Sequence, residues 1–198
     1  MNIIKKKYTV EDFLKKYVQP GAKILNAGCG ETRYGENCTN VDVVARSGVD
    51  VVCNIENLEF VGVFDTVICN ATLQYCRYPR LAAKNLFYAL KPGGLIFVDA
   101  PWVQGYCANT PDRFRFSQDA LKDMFSDFEI LACGASIPPG SAFVFLGIKI
   151  AGSMTRNKYI NFALAKIATA LLWPLRGIKT ANQAACAGAF YLIGRKTT

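Results

Sequence analysis

Five short apolar runs, at residues 23–27, 39–43, 49–53, 63–69 and 93–100, constrain this chain more than any other feature. Each has the length of a strand, and helical patterns stand around them. Thr9 can cap a first helix, with Glu11 and Asp12 in its opening turn and Val10, Phe13, Leu14 and Tyr17 along one face. "QPG" at 19–21 ends it before the first run. Pro79 can open another, with Leu81, Leu86, Phe87 and Leu90 turned inward and "KPGG" at 91–94 as its stop. Ser117 with Asp119 begins a third, to about Met124, and runs at 128–137 and 187–194 close the pattern. Short apolar strands interleaved with helices imply an α/β fold, with a mainly parallel sheet covered on both faces. No repeat or linker divides the 198 residues, a length suited to one core. The expected organisation is a single domain over 1–198, with a basic helical insertion at about 138–186 before the last strand.

Composition narrows the chemistry. There is no histidine, which excludes an imidazole base and, with no CxxC pair, the common zinc patterns, so no metal is expected. Of the eight cysteines, Cys53 and Cys69 sit inside apolar runs where a thiol behaves as a small hydrophobe, and reduced thiols are expected. The N-terminus "MNIIKKKYTV" lacks the apolar stretch of a secretory signal, so a cytoplasmic location is expected and Lys5, Lys6 and Lys7 read as a solvated face. The net charge of +8 is unevenly placed. From Lys149 onward there are eight basic residues and no acid, whereas the preceding 148 residues balance at 15 of each. The tail is thus suited to an anionic partner.

In open parallel sheets, ligands bind outside the carboxyl ends of the strands. The first run is followed by Asn26-Ala27-Gly28-Cys29-Gly30, where glycines let the backbone approach a ligand. The second ends on Asp42, placed to accept from both ribose hydroxyls, with Val43 next to it. After the third come Asn54 and Ile55, suited to an adenine edge and face; the fourth ends in Asn70 and the fifth in Asp99-Ala100-Pro101-Trp102. A dinucleotide fingerprint wants G-x-G-x-x-G opening a helix whose N-terminus holds a pyrophosphate. Here Arg33 stands at the third glycine position, and Asp42 follows Gly30 by only 12 residues, too few for a full helix and its return. That spacing argues against NAD. It is tolerable for S-adenosylmethionine, which carries adenosine without phosphate and has a positive sulfonium.

In order along the chain, "ILNAGCG", "NVDV", "VVCNIENLEF", "FDTVICNATLQY", "LKPGGLIFVDAP" and "DRFRFS" resemble the landmarks of class I S-adenosylmethionine-dependent methyltransferases of the small "type 11" kind, over roughly residues 9–137. The resemblance implies a Rossmann-like three-layer α/β/α sandwich with a seven-stranded, mostly parallel sheet and one antiparallel strand. It implies that Asn26, Ala27, Gly28, Cys29 and Gly30 line the methionine part and that Asp42 holds the ribose. Asn54 and Ile55 would meet adenine, and Asn70 would contact the cofactor. The chain departs from the family at Asn26 and Asn54, where acids are usual or frequent, and near Tyr75, where a histidine often stands.

Methyl transfer from a sulfonium is an in-line displacement that needs alignment more than a dedicated residue. For a hydroxyl acceptor, the candidate bases are Tyr75, Asp99 and Asp112, each with a structural role as its alternative; Tyr75, Trp102, Arg113 and Arg115 are candidates to meet the acceptor. In the tail, Ile160, Leu164, Ile167, Leu171 and Leu175 recur at helical spacing with Lys158 and Lys166 off that line. This is an amphipathic basic helix able to lie on an anionic bilayer, as a peripheral protein at the inner membrane face, or to pack on the sheet or a second subunit. Lys149, Lys166 and Pro174 interrupt its apolar runs as membrane spans. The tail also resembles, more loosely, methyltransferase-like proteins of bacterial surface-polysaccharide gene clusters, which implies a sugar or lipid-linked sugar acceptor. Nucleic acid is disfavoured as a partner, because the basic residues are interleaved with aliphatics. The expected function is methyl transfer to a small molecule. The alternative is an S-adenosylmethionine-binding pseudo-enzyme, or a membrane-peripheral scaffold, without turnover.

Overall fold

The structure is a computed structural model and describes residues 8–108, 110–178 and 180–197; Lys5, Lys6, Lys7 and Lys179 lie outside the described residues. Helix α1, Val10–Tyr17, starts where Thr9 and Asp12 satisfy each other's backbone: the Asp12 N–H donates to Thr9 Oγ1 at 3.2 Å and the Thr9 N–H to Asp12 Oδ2 at 2.9 Å. This capping box offsets two otherwise unpaired donors of the first turn. The helix buries Val10 and Phe13 against Ile24, Ile68 and Phe97 on one face of the sheet.

The seven strands are β1 (Ile24–Ala27), β2 (Cys38–Asp42), β3 (Val51–Val52), β4 (Phe64–Asn70), β5 (Leu90–Pro101), β6 (Phe128–Ile137) and β7 (Ala189–Lys196). Their order is β3-β2-β1-β4-β5-β7-β6, and only β7 runs against its neighbours. The chain moves outward one way from β1 to β3 and the other way from β4, so the strand order reverses between β1 and β4. Ligands of such sheets bind at that crevice. Helices α2 (Pro79–Ala89) and α3 (Gln118–Met124) cover the face opposite α1, over a core that includes Leu25, Val67, Leu86, Val98, Leu121 and Leu192.

Two local expectations are corrected. Leu81 does not face inward: it is 43% exposed, and α2 turns Ala82, Ala83, Leu86 and Ala89 to the core. Small residues let this helix lie close to the sheet; of the expected stripe, Leu86 and Leu90 are fully buried and Phe87 packs against the core. "KPGG" is not the helix stop, since α2 has ended at Ala89 and β5 already runs through it. The pairing of β4 with β5 shifts register there, from Phe64↔Leu90 to Thr66↔Leu95, with Gly93 at φ +76°. Helices α4 (Pro139–Ala151) and α5 (Lys158–Leu172) form a hairpin between β6 and β7, in which α5 turns Asn161, Leu164, Ala165, Ala168, Thr169 and Leu172 inward. Ile160, Ile167 and Leu171, on the apolar line read from the sequence, are exposed.

Candidate functional site

At the end of β1 the chain makes a turn that depends on glycine. Gly28 has φ +75° and Gly30 φ +50°. At Gly28 the need is also steric, because a Cβ there would lie 2.2 Å from Thr72 Cγ2 and 2.3 Å from Thr72 Oγ1. Thr72 follows β4, and its hydroxyl is within 3.2–3.3 Å of the carbonyls of Ala27, Gly28 and Asn70. The loops after β1 and β4 are therefore locked together at the switch point. Between them Ala71 holds φ +52°, an unusual conformation for a residue with a side chain. Its N–H donates to the Asp99 carbonyl at 2.8 Å.

No helix forms between Gly28 and Asn37. The backbone donors of this turn are consumed internally: the N–H groups of Gly28 and Cys29 both donate to the Val41 carbonyl, at 2.8 and 2.9 Å, and that of Gly30 to Asp42 Oδ2 at 2.8 Å. Asp42 Oδ1 accepts from the Val44 N–H at 3.0 Å. A phosphate would find neither a helix N-terminus nor a free nest of amides here.

Above this floor lies a cavity of about 500 Å³, in the range of cofactor sites. It is walled by residues 28–32 after β1, Asp42, Val43, Val44 and Arg46 after β2, and residues 53–56 after β3. Asn70, Ala71, Thr72, Tyr75 and Cys76 complete the wall after β4, and Thr110 and Pro111 reach over from the loop after β5. Three carboxylates (Glu31, Asp42 and Glu56) face it with a single guanidinium, Arg46. Such a lining favours a cationic guest over an anionic one. Asn54 caps a short 3-10 turn, Ile55–Asn57, accepting from the Glu56 N–H at 3.0 Å and donating to Glu56 Oε2 at 2.8 Å. The other oxygen of Glu56 accepts from the Tyr78 N–H at the start of α2. The Asn70 side chain bonds the Tyr34 hydroxyl, whose pKa burial pushes up to about 12.

Of the residues singled out in the sequence, Gly28, Cys29, Gly30, Asp42, Val43, Asn54, Ile55, Asn70 and Tyr75 share this cavity. Asn26 and Ala27 lie beneath it. Asn26 is 2% exposed, and its amide donates to the Thr32 carbonyl at 2.9 Å and to Asn40 Oδ1 at 3.1 Å, tying the turn to β2. Asp99 is equally buried and accepts from the Ser136 hydroxyl at 3.1 Å. Asp112 is held by Arg115 in a two-pronged ion pair of 2.5 and 2.6 Å and accepts from the Cys107 N–H at 2.9 Å. Arg115 holds its carboxyl below the ordinary carboxylate value. Arg113 donates to the carbonyls of Tyr75 and Pro111, at 2.6 and 3.2 Å, and so clips the loop onto the wall. Trp102 packs on the core. None of Asp99, Trp102, Asp112, Arg113 and Arg115 lines the cavity. Tyr75 does, and burial, with Cys107 beside it, raises its pKa. Both effects favour its neutral, protonated form.

Sequence reasoning missed Glu56, Arg46, Ala71 and Thr72. Glu56 follows the strand-end pair by one residue and carried a readable signal. Nothing in the sequence marks Ala71 for a positive φ, or Thr72 as the group that seats against Gly28.

Residues 25–98 match the family described as "Methyltransferase domain" (Methyltransf_11). None of the curated proteins matches the chain in sequence. Solved structures share its fold at low identity. The [4+2]-cyclase SpnF is 17% identical with a TM-score of 0.56, over 90% of this chain and 76% of that one. The Burkholderia thailandensis 1,6-didemethyltoxoflavin-N1-methyltransferase, with its namesake compound and S-adenosylhomocysteine bound, is 15% identical with a TM-score of 0.53, over 89% and 72%. A Haloferax volcanii assembly of the Trm112 activator with a methyltransferase gives 14% and 0.57, over 96% and 89%. The three share this fold while differing in stated activity. The family match is the narrower finding: it spans residues 25–98, which carry β1 to β4 and most of the cavity wall.

Proposed function

We propose that this chain transfers a methyl group from S-adenosylmethionine to a small, uncharged acceptor, with a sugar or lipid-linked sugar as the acceptor class. One observation carries the reading: the switch-point cavity of a methyltransferase domain is walled by three carboxylates, and its turn amides are already bonded internally. A phosphate-free cofactor with a positive sulfonium and ammonium suits that lining, and the Burkholderia enzyme of the same fold holds the demethylated cofactor.

When bound, the cofactor supplies the electrophilic methyl. In this reading Asp42, whose oxygens keep lone pairs beyond the two backbone bonds, accepts from the ribose hydroxyls. The Gly28–Gly30 backbone, with Cys29, borders the methionine, and Asn54 and Ile55 border the adenine. Val43 and Asn70 complete the donor side, with Asn26 and Ala27 as its support from below. Tyr75, Thr110 and Pro111 form the outer wall, with two hydroxyls and no charge, as suits a neutral polyol. An acceptor hydroxyl at the outer wall would take the methyl that the bound cofactor supplies, and its proton would leave to solvent. Alignment is the protein's main contribution and can supply about 7–11 kcal/mol. The partner side of the reading is peripheral contact with an anionic membrane, on the cytoplasmic side, or with a second subunit through residues 138–186.

A second reading is binding without turnover. It is favoured by the state of the candidate bases: Asp112 is ion-paired, Asp99 is buried off the cavity and burial raises the pKa of Tyr75. Titration calorimetry with S-adenosylmethionine and S-adenosylhomocysteine tests both. No heat at millimolar cofactor removes them together. Binding with no product across sugar and lipid-linked sugar acceptors leaves only the second.

A further inference from the structure

The helical hairpin leaves the sheet at the same edge as the cavity. β6 ends at Ile137, which pairs with Ala189 of β7, itself opposite Pro101 at the end of β5. The hairpin is a packed unit: a Cβ at Gly147 of α4 would fall 2.4 Å from Leu172 Cδ1 of α5, and one at Gly140 the same distance from the Leu175 carbonyl oxygen. Phe145 and Lys149 of α4 border Gly105, in the loop whose Thr110 and Pro111 wall the cavity.

The outward face of α5 has no partner among the described residues. Tyr159, Phe162, Ile167 and Leu171 are 74%, 65%, 56% and 71% exposed. Along the same face Lys158 and Lys166 stand one turn either side of Phe162. Lys158 Nζ lies 5.2 Å from the Tyr159 ring centre and Lys166 Nζ 5.3 Å from that of Phe162. Exposed aromatics and aliphatics beside lysines are what an interfacial helix presents, with rings at headgroup depth and ammonium groups reaching the lipid phosphates. Charge commits the occupant: no Asp or Glu follows Glu129 anywhere in the chain, so nothing on the hairpin repels an anionic surface. No helix among the described residues is long and apolar enough to cross a membrane.

We propose that the outer face of α5 docks on an anionic phospholipid bilayer, with Tyr159, Phe162, Ile167 and Leu171 in the interface and Lys158 and Lys166 on the headgroups. The carboxyl edge of the sheet then lies toward the lipid. The acceptor enters past Thr110 and Pro111 from the interface, a step that rests on the methyl-transfer reading above.

Sedimentation of the full chain with phosphatidylcholine vesicles, with and without phosphatidylglycerol, tests this. Binding is expected to the anionic vesicles, falling as salt rises. The double substitution K158E/K166E is expected to lower it on the order of tenfold or more, at about fivefold for each lysine lost. Phe162→Glu should also lower it, whereas Tyr88→Glu, at an exposed aromatic of α2, should not. Equal binding to both vesicle types, or to neither, overturns the proposal. So does a dimer in light scattering that Phe162→Glu dissolves while vesicles are ignored, which would make a second copy the occupant. Calorimetry with S-adenosylhomocysteine on K158E/K166E separates the two readings. Lost vesicle binding with unchanged cofactor affinity supports docking, and a wild-type chain that binds vesicles but no cofactor fails the methyl-transfer reading alone.

Discussion

The carboxyl edge of this sheet is finished in two different ways. Over β1, β2 and β4 nearly every polar group is consumed: two amides share the Val41 carbonyl, Asp42 takes two more, and Thr72 bridges three carbonyls. Over β6 and β7 the hairpin leaves apolar and basic side chains in solvent. The first region is specified by backbone geometry, where single atoms decide what fits. The second is specified by composition, where one side chain can stand in for another of like kind. Substitutions should therefore have large, position-specific effects at the crevice and small effects on stability at the hairpin's outer face.

Gly28→Ala should have the largest effect. The added methyl meets Thr72 at 2.2 Å in a conformation with φ +75°, so strain and overlap combine to cost about 3 kcal/mol or more. Thermal unfolding measures it, and pairing with Thr72→Gly should recover the overlap part while leaving the strain. Gly30→Ala sharpens the contrast. Its Cβ would meet no atom within 4 Å, so only about 1 kcal/mol of conformational strain is expected. A similar loss for both variants would mean that Thr72 does not lock the two loops.

Asn26→Asp comes next, at about 2–4 kcal/mol. It restores the residue type usual in the resembled family, yet here the amide donates to the Thr32 carbonyl and to Asn40 Oδ1. An ionised carboxylate would face two acceptors without water. Burial would raise its pKa above the unfolded value, so the penalty is expected above about pH 4 and should fade as pH drops. A melting-temperature difference from wild type that does not depend on pH would show that the carboxylate finds other donors.

The wild-type pair Asp112–Arg115 has the opposite sign. Arg115 depresses the Asp112 carboxyl, so its contribution to stability is present above the ordinary value of 3.8 and lost as pH falls below it. Melting curves of Asp112→Asn against wild type should differ at neutral pH and converge in acid. Because this pair braces the loop that carries Thr110 and Pro111, the variant should also weaken acceptor binding more than cofactor binding.

What could be read from the sequence follows the same division. The runs at 63–69, 93–100 and 128–137 became β4, β5 and β6 because apolar stretches between turn residues leave few other ways to be buried. Thr9, Pro79 and Ser117 opened their helices because capping chemistry is local. The short gap to Asp42 excluded a helix after β1, and none forms there. What stayed hidden depends on atoms distant in the chain. Asp112, Arg113 and Arg115 read as candidates for the pocket or for structural roles; Asp112 and Arg115 pair with each other, and Arg113 donates to the Tyr75 and Pro111 carbonyls. The stripe on α5 left bilayer and packing both open, because helical spacing reveals a face without saying which way it turns. Leu172 settled against Gly147 of α4 and Ala165 against Gly152, while Ile160, Ile167 and Leu171 were left outside.

That last point gives the smallest expected effect and the sharpest test of the contrast. Phe162→Gln removes a ring that is 65% exposed and carries the Lys166 ammonium over its face, so stability should change by no more than about 0.5 kcal/mol. Gly147→Val, one turn inside the same hairpin, would drive its side chain into Leu172 and should part α4 from α5. Thermal melts distinguish these directly: no shift for the first variant and a clear loss for the second. Cofactor calorimetry then tests whether the two regions are independent, because no hairpin residue walls the cavity. If Gly147→Val also abolished cofactor binding, the hairpin would be bracing the crevice through Gly105 and its loop, and the division drawn between the two regions would fail.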